Sequence, residues 1–295
     1  MCPGVRDVWP AADGGLARVR IPGGVLTADQ LEVLATAAAE LGSGVLELTK
    51  RANLQVRGLR PGAEDELACR LHAADLLPSD AHDKVRNLVA SPLTGLVSDR
   101  PDVLPVVRAI DAGLLADPAF ADLPGRFLFV VDDGAYDVAG LDADVSLIAE
   151  LGRYALHLGG AALGTVRDPA AAALAAARGF VAERGAQCSP AWRLAELDDG
   201  PARVAARLGP AVMHDRVDIS RAESGPNLST GSCRTGRPVG LGLHRQTDGR
   251  VALVVEVPEG RLDVAGALAL AARSTGEIRV TPWRSVVLPN LEAGK

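Results

Sequence analysis

The sequence predicts an α+β chain in which two βαββ half-domains pair about a pseudo-two-fold axis around an inserted α/β unit. Three observations predict it. A strand, helix and strand-pair pattern runs over about residues 15–60, the same pattern returns over about 248–291, and strand and helix signals alternate between them. The recurrence can be followed along the chain. Asp13 to Leu26 returns as Asp248 to Leu262 with one extra residue, Gly44 to Thr49 returns as Gly276 to Thr281, and the stretch after it returns as Pro282 to Leu291. Two copies so far apart are a duplicated half-domain rather than a solenoid, which stacks three or more adjacent repeats. Each copy alone buries too little surface to be stable. The copies are therefore expected to share one sheet, with segments at 1–78, 79–235 and 236–295.

Taken in order, residues 1–14 read as a lead-in, and Leu16, Val19 and Ile21 begin the first strand, which Pro22-Gly23-Gly24 ends. Thr27 with Gln30 is a capping box, and Leu31, Leu34, Ala35, Ala38 and Leu41 give one apolar helix face, stopped by Gly42 and Gly44. A second helix is expected from Gly62 to Leu76, carrying Cys69 and His72. The middle unit opens at Arg86-Asn87, turns at Pro92 to Gly95, and continues as a helix near Leu104 to Leu115 and a strand from Arg126 to Val131. Asp132-Asp133-Gly134 signals a hairpin. Strands at Val145 to Ala149 and Tyr154 to Leu158 follow, then a helix from Asp168-Pro169 to about Glu183. Met213 to Gly242 is polar and rich in Ser, Gly, Arg and Pro, and reads as a linker. His214, Asp215 and Asp218 are its one close grouping of metal-ligating types, and a solvated loop is the expectation for it.

The chemistry gathers at Leu48 to Leu59. Leu46, Leu48, Leu54 and Val56 alternate as the apolar face of a strand pair, which leaves Lys50, Arg51, Asn53, Gln55 and Arg57 at its corner or on its other face. Guanidinium and amide groups on a rigid strand can hold carboxylates at fixed geometry. A solvated strand face is the alternative.

Composition narrows the partners. A net charge of −6 is wrong for neutralising phosphates along a nucleic acid, and 3% aromatic residues leave few platforms for base stacking. The four cysteines, at 2, 69, 188 and 233, show none of the close pairing of zinc or iron–sulfur motifs. No apolar run reaches the ~18 residues of a membrane span, and no basic segment followed by an apolar run opens the chain, so a cytoplasmic protein is expected. No glycine-rich phosphate loop and no nucleophile elbow appear.

Three motifs occur in sequence: Thr49-x-Arg51 with Gln55 and Gly58, then Arg86-Asn87-Leu88-Val89-Ala90-Ser91-Pro92-Leu93-Thr94-Gly95, then Leu123-Pro124-Gly125-Arg126-Phe127-Leu128-Phe129. In that order they resemble the nitrite and sulfite reductase superfamily. The resemblance is strongest to its precorrin-3B synthase branch in cobalamin biosynthesis, which shares the Cys2-Pro3-Gly4 opening and the Thr281-Pro282-Trp283-Arg284-Ser285 close. It covers nearly the whole chain and implies ferredoxin-like half-domains around a sirohaem-type, nitrite/sulfite-reductase-like middle domain.

The same resemblance makes Arg51, Arg86 and Arg126 the anion-facing cations over a tetrapyrrole and expects them to converge on one cleft. Asn53, Gln55, Arg57 and Asn87 become candidates for the macrocycle's carboxylates. Leu128 stands where the reductase pattern has a second basic residue, which favours a tetrapyrrole as substrate over bound nitrite or sulfite. The family uses a [4Fe–4S] cluster with sirohaem or non-haem iron, held by four cysteines in a unit beyond the second half-domain. Those cysteines are not found here, so no metal site is assigned and the chain by itself is expected to hold no cluster. An excised piece, a split enzyme and a shortened homologue all fit. The implied activity is a precorrin-3B synthase-like oxygenation of a carboxylate-rich tetrapyrrole, with a separate cluster-bearing chain as a partner. The alternative is a non-catalytic module that binds a tetrapyrrole or a partner.

Overall fold

In the computed structural model, residues 2–209, 212–216 and 236–292 are described. The chain forms two units: unit 1 comprises residues 1–86, 95–99 and 239–295, and unit 2 comprises 87–94 and 100–238. Asp218 and Cys233 lie outside the described residues.

Unit 1 holds both copies of the repeat. The first contains β1 (Trp9–Ala11), β2 (Gly14–Val19), β3 (Val25–Thr27), α1 (Ala28–Leu41), β4 (Val45–Leu48), β5 (Leu54–Leu59) and α2 (Glu64–Ala73). The second contains β12 (Gly242–Arg245), β13 (Val251–Glu256), β14 (Arg261–Asp263), α6 (Val264–Arg273), β15 (Glu277–Val280) and β16 (Ser285–Leu291). The copies do not share one sheet. They build two five-stranded sheets, β1-β2-β5-β4-β14 and β12-β13-β16-β15-β3, and each takes its last strand from the other copy.

A turn causes this exchange. Pro22-Gly23-Gly24 is a single 3-10 turn with Gly23 at φ 68° and Gly24 at φ 74°, and Pro258-Glu259-Gly260 repeats it at 56° and 71° for Glu259 and Gly260. Two successive left-handed residues redirect the chain, so the next three residues pair outside their own copy. Leu26 lies opposite Ile278, and Leu262 lies opposite Leu46. Gly24 has no room for a side chain, since a Cβ there would lie 2.2 Å from the Val280 carbonyl oxygen.

The exchanged strands lead into helices with matching caps. Thr27 Oγ1 accepts from Gln30 N–H while the Gln30 side chain accepts from Thr27 N–H, and Asp263 Oδ1 accepts from Gly266 N–H. The expected face of α1 (Leu31, Leu34, Ala35, Ala38, Leu41) is buried, and it shares one core with Leu46, Leu48, Leu54, Val56, Leu262, Ala267 and Ile278. This reciprocal exchange spares each copy from standing alone, because the apolar residues of both fill a common interior.

Unit 2 contains β6 (Leu88–Ala90), α3 (Leu104–Ala116), β7 (Phe129–Asp132), β8 (Val145–Glu150), β9 (Arg153–Leu158), β10 (Ala161–Val166), α4 (Pro169–Ala186), α5 (Gly200–Arg207) and β11 (Asp215–Arg216). They form one six-stranded sheet, β11-β10-β9-β8-β7-β6, parallel from β6 to β8 and antiparallel beyond. The hairpin expected at Asp132-Asp133-Gly134 is absent, because β7 and β8 run parallel and need a longer connection. The Asp132 carboxylate organises that connection, accepting from the N–H groups of Gly134, Tyr136, Val138 and Ala139. At the start of α4, Asp168 caps Ala171 N–H as its sequence suggests.

Candidate anion-binding site

The turn between β4 and β5 is rigid for local reasons. Thr49 Oγ1 accepts from the N–H groups of Arg51 (3.3 Å) and Asn53 (3.0 Å), Thr49 N–H donates to Asn53 O, and Ala52 takes φ 52°. Lys50 is exposed and Arg51 half-buried at the tip. Asn53 is 1% exposed, and its Oδ1 accepts from Ile21 N–H at 2.8 Å, so it ties the turn to the end of β2.

Behind the turn, the face of the sheet opposite the apolar core is polar. Arg18 and Gln55 are cross-strand partners, and with its amide oxygen toward Arg18, Gln55 accepts from Nε at 3.0 Å and Nη2 at 2.6 Å. Arg18 and Arg20 both reach the Cys2 sulfur, Arg18 Nη1 at 3.7 Å and Arg20 Nη2 at 3.3 Å. Arg20 Nη2 also donates to the carbonyls of Pro3 and Lys84. Its Nε and Nη1 are buried without any partner, although the residue is only 2% exposed. Burial pulls the Arg20 guanidinium down to about 10, with Arg18 pushing the same way and Cys2 and Asp83 opposing. It is still a cation at neutral pH. A buried guanidinium with two orphaned nitrogens costs free energy that an entering anion would recover.

The lead-in closes over this face. Gly4 O accepts from Arg18 N–H, Val5 N–H donates to Asp83 Oδ2 at 2.6 Å, and a Cβ at Gly4 would lie 2.2 Å from that same oxygen. Residues 79–86 fall in unit 1. Burial pushes the Asp83 carboxyl above its ordinary range, against its backbone bonds and Arg20.

Of the seven expected site residues, Arg51, Asn53 and Gln55 share this turn and sheet face. Arg57 is committed elsewhere: its Nε and Nη2 bind Asp13 at 3.0 and 2.7 Å, and Glu47 lies 3.6 Å from Nη1. Arg86 ends the first run of unit 1 and is 6% exposed. Asn87 and Arg126 belong to unit 2. There Asn87 Nδ2 donates to Gly125 O at 3.1 Å and so fixes the turn that presents Arg126, whose exposed guanidinium stands 5.5 Å from the Trp192 ring centre. Leu128 is buried. The residues passed over on sequence grounds are Cys2, Arg18 and Arg20. The signal was Arg18-Val19-Arg20 itself, whose period of two puts both cations on the face away from the apolar core.

Cys2 lies in the lead-in and Cys69 on α2, while Cys188 belongs to unit 2. Among the described residues no group of three His, Cys, Asp or Glu side chains could hold a metal ion. His72 bonds Asp80 instead, through Nε2 at 2.9 Å.

Residues 10–74 and 244–295 match the nitrite/sulfite reductase ferredoxin-like half domain. A ferredoxin–nitrite reductase of Synechococcus elongatus is 34% identical over 126 residues, covering 40% of this chain and 25% of that protein. A precorrin-3B synthase of Sinorhizobium sp is 29% identical over 150 residues, covering 50% and 32%. The structure of the Mycobacterium tuberculosis NirA protein superposes with a TM-score of 0.64 at 23% identity, covering 94% of this chain and 54% of that one, so it speaks to the fold. These matches span between about a quarter and about half of each relative's length. The paired, strand-exchanging copies of unit 1 are therefore nitrite/sulfite reductase ferredoxin-like half-domains, in a chain whose homologues are named nitrite reductase, sulfite reductase and precorrin-3B synthase.

Proposed function

We propose that the chain is a precorrin-3B synthase-like oxidoreductase component whose first half-domain holds a carboxylate-rich tetrapyrrole. One observation carries the reading: the buried Arg20 guanidinium, with Nε and Nη1 unpartnered, beside Arg18 and Gln55 and behind the Arg51 turn. Such an array suits several carboxylates at fixed spacing better than one small anion, because the guanidinium forks can each take a carboxylate edge. Arg51 meets the ligand at the rim, Arg18 and the buried Arg20 add positive charge from the sheet behind it, and Asn53 keeps the turn in place. Arg86, at the end of the first run of unit 1, is assigned to the same ligand on the resemblance. An iron–sulfur cluster would supply electrons, but the described cysteines do not fit one, so no redox step is given to these residues.

Nitrite reduction is the second reading, favoured by the 34% identity to the Synechococcus elongatus enzyme and disfavoured by Leu128, a buried apolar side chain where the resemblance leads to a basic one. Titration of the full chain with uroporphyrin and with its methyl ester, followed by absorbance, tests the proposal. Saturable binding of the acid and none of the ester is expected. Equal binding of both, or of neither, would remove the site, and turnover of nitrite with a reduced viologen would favour the second reading.

A further inference from the structure

Two guanidinium groups converge on one sulfur atom. Arg18 Nη1 lies 3.7 Å and Arg20 Nη2 3.3 Å from Cys2 Sγ, and Cys2 itself is 6% exposed. A thiol sulfur is a weak acceptor and a guanidinium is a fork of strong donors, so the match is unequal. The other bonds of the two cations sharpen this. With the Gln55 amide oxygen toward it, Arg18 commits Nε and Nη2 there, and Nη1 is the nitrogen it turns to the sulfur. Arg20 directs Nη2 alone to the sulfur and to the carbonyls of Pro3 and Lys84, at 3.3 and 3.4 Å, while Nε and Nη1 are buried without partners.

Asp83 does not relieve Arg20. It acts on that cation through its charge, but its Oδ2 accepts from Val5 N–H at 2.6 Å, and among the described residues no hydrogen bond joins it to Arg20. Everything that Arg20 touches is therefore an uncharged acceptor or a sulfur. A buried cation with more donors than acceptors is stabilised when charged oxygens take the place of a weak acceptor. Of the groups bonded to Arg20, the Cys2 sulfur is the one that can gain such oxygens, by oxidation.

We propose that Cys2 is a site of oxidation by hydrogen peroxide and that Arg18 and Arg20 hold the sulfinate it forms. One peroxide transfers an oxygen to the thiol sulfur and leaves as water, giving the sulfenic acid; a second does the same, giving the sulfinate, a proton and water. The sulfur loses two electrons to each peroxide. The product sets one negative charge beside two cations and supplies acceptors of the kind that Nε and Nη1 of Arg20 lack. Burial selects the reagent: a molecule little larger than water reaches the sulfur, and a bulky thiol reagent is shut out. The inference goes beyond the tetrapyrrole reading, although it uses two of the same cations, because it is decided on the mass and stability of the ligand-free chain.

The test uses the full chain with Cys69, Cys188 and Cys233 changed to Ser, which leaves Cys2 as the sole thiol. Treatment with excess hydrogen peroxide, followed by peptide mass spectrometry, is expected to find two added oxygens on Cys2. The oxidised chain should unfold about 2–4 °C above the reduced one, and Arg20→Met should abolish that rise. A second pair needs no oxidant and stands even where Arg20→Met does not fold: Cys2→Asp, a fixed anion, should unfold at a higher temperature than the neutral Cys2→Asn. Cys2 unoxidised in excess peroxide, an oxidised chain no more stable than the reduced one, a rise that persists in Arg20→Met, or Cys2→Asp unfolding no higher than Cys2→Asn would each overturn the proposal.

Discussion

The first half-domain copy and the second have nearly the same backbone and opposite side chains. Thr49 and Thr281 each accept two turn N–H groups through Oγ1, and Ala52 and Arg284 occupy the same left-handed position, at φ 52° and 60°. On that shared frame Arg51 corresponds to Trp283, Asn53 to Ser285, and the Arg18–Gln55 pair to Val254 and Val287, which face each other across β13 and β16. Arg20, buried with orphaned nitrogens, corresponds to the exposed Glu256. Turn and strand geometry were kept in both copies, while the cations collected in one. The difference teaches that geometry here serves as scaffold and that ligand chemistry is a property of one copy's side chains.

The largest expected effect tests the shared frame. Gly24→Val combines a left-handed β-branched residue with a clash against the Val280 carbonyl, and should cost roughly 2–5 kcal/mol. Gly260→Ala meets only the flexible Arg284 side chain and should cost about 1–2 kcal/mol. Urea unfolding of both variants checks the order. If Gly260→Ala is the more damaging, the strand exchange is not anchored as the turn geometry indicates.

Next comes the contrast in charge. Replacing a buried, incompletely paired ion with an apolar residue of similar size is often neutral or stabilising by about 1–4 kcal/mol. Arg20→Met should therefore leave the ligand-free chain at least as stable while abolishing saturable uroporphyrin binding. Loss of stability together with unchanged binding would mean that Arg20 is structural and that the two copies differ for some other reason.

A smaller effect separates the two turns. Arg51→Ala should weaken uroporphyrin binding by the ~1.5–3 kcal/mol of a charged hydrogen bond, with a steep dependence on salt. Trp283→Ala, at the matching position, should leave that affinity unchanged. Equal losses at both turns would erase the asymmetry.

Much of this was legible in the sequence, for identifiable reasons. The duplication, the Thr27–Gln30 capping box and the apolar face from Leu31 to Leu41 depend on local spacing, and local spacing is what a sequence displays. The exchange of β3 and β14 was not legible. Val25-Leu26-Thr27 is too short to name its partner, and its direction comes from two left-handed residues whose effect shows only in three dimensions. β10 was missed because Ala161 to Val166 does not alternate, although Gly159-Gly160, at φ 55° and 87°, is the paired left-handed turn that closes a hairpin on β9. The Asp-Gly signal at 133–134 misled for the opposite reason: its aspartates organise a long connection between parallel strands. Arg18 and Arg20 do not stand out in the sequence because they sit in an otherwise apolar strand, whereas the exposed corner displays its cations openly.

A control lies outside both copies. In unit 2, Asp137 is buried, accepts from Ser91 Oγ at 2.7 Å and lies near Asp132 and Asp133. Burial, helped by those two carboxylates and opposed by Ser91, pushes its carboxyl from 3.8 up to about 7. The folded chain then binds this proton more tightly than the unfolded chain, so the group's stabilisation is whole below 3.8, declines as pH rises, and is gone above about 7. The slope in that window is at most about 1.4 kcal/mol per pH unit. Asp137→Asn should flatten this part of the stability profile, measured by urea unfolding across the window. Arg20→Met should leave it alone, because Arg20 keeps its proton throughout that range. A profile that Arg20→Met flattens as much as Asp137→Asn would show that the cationic face of the first copy is not an independent feature, and the contrast between the two copies would have to be redrawn as one between units.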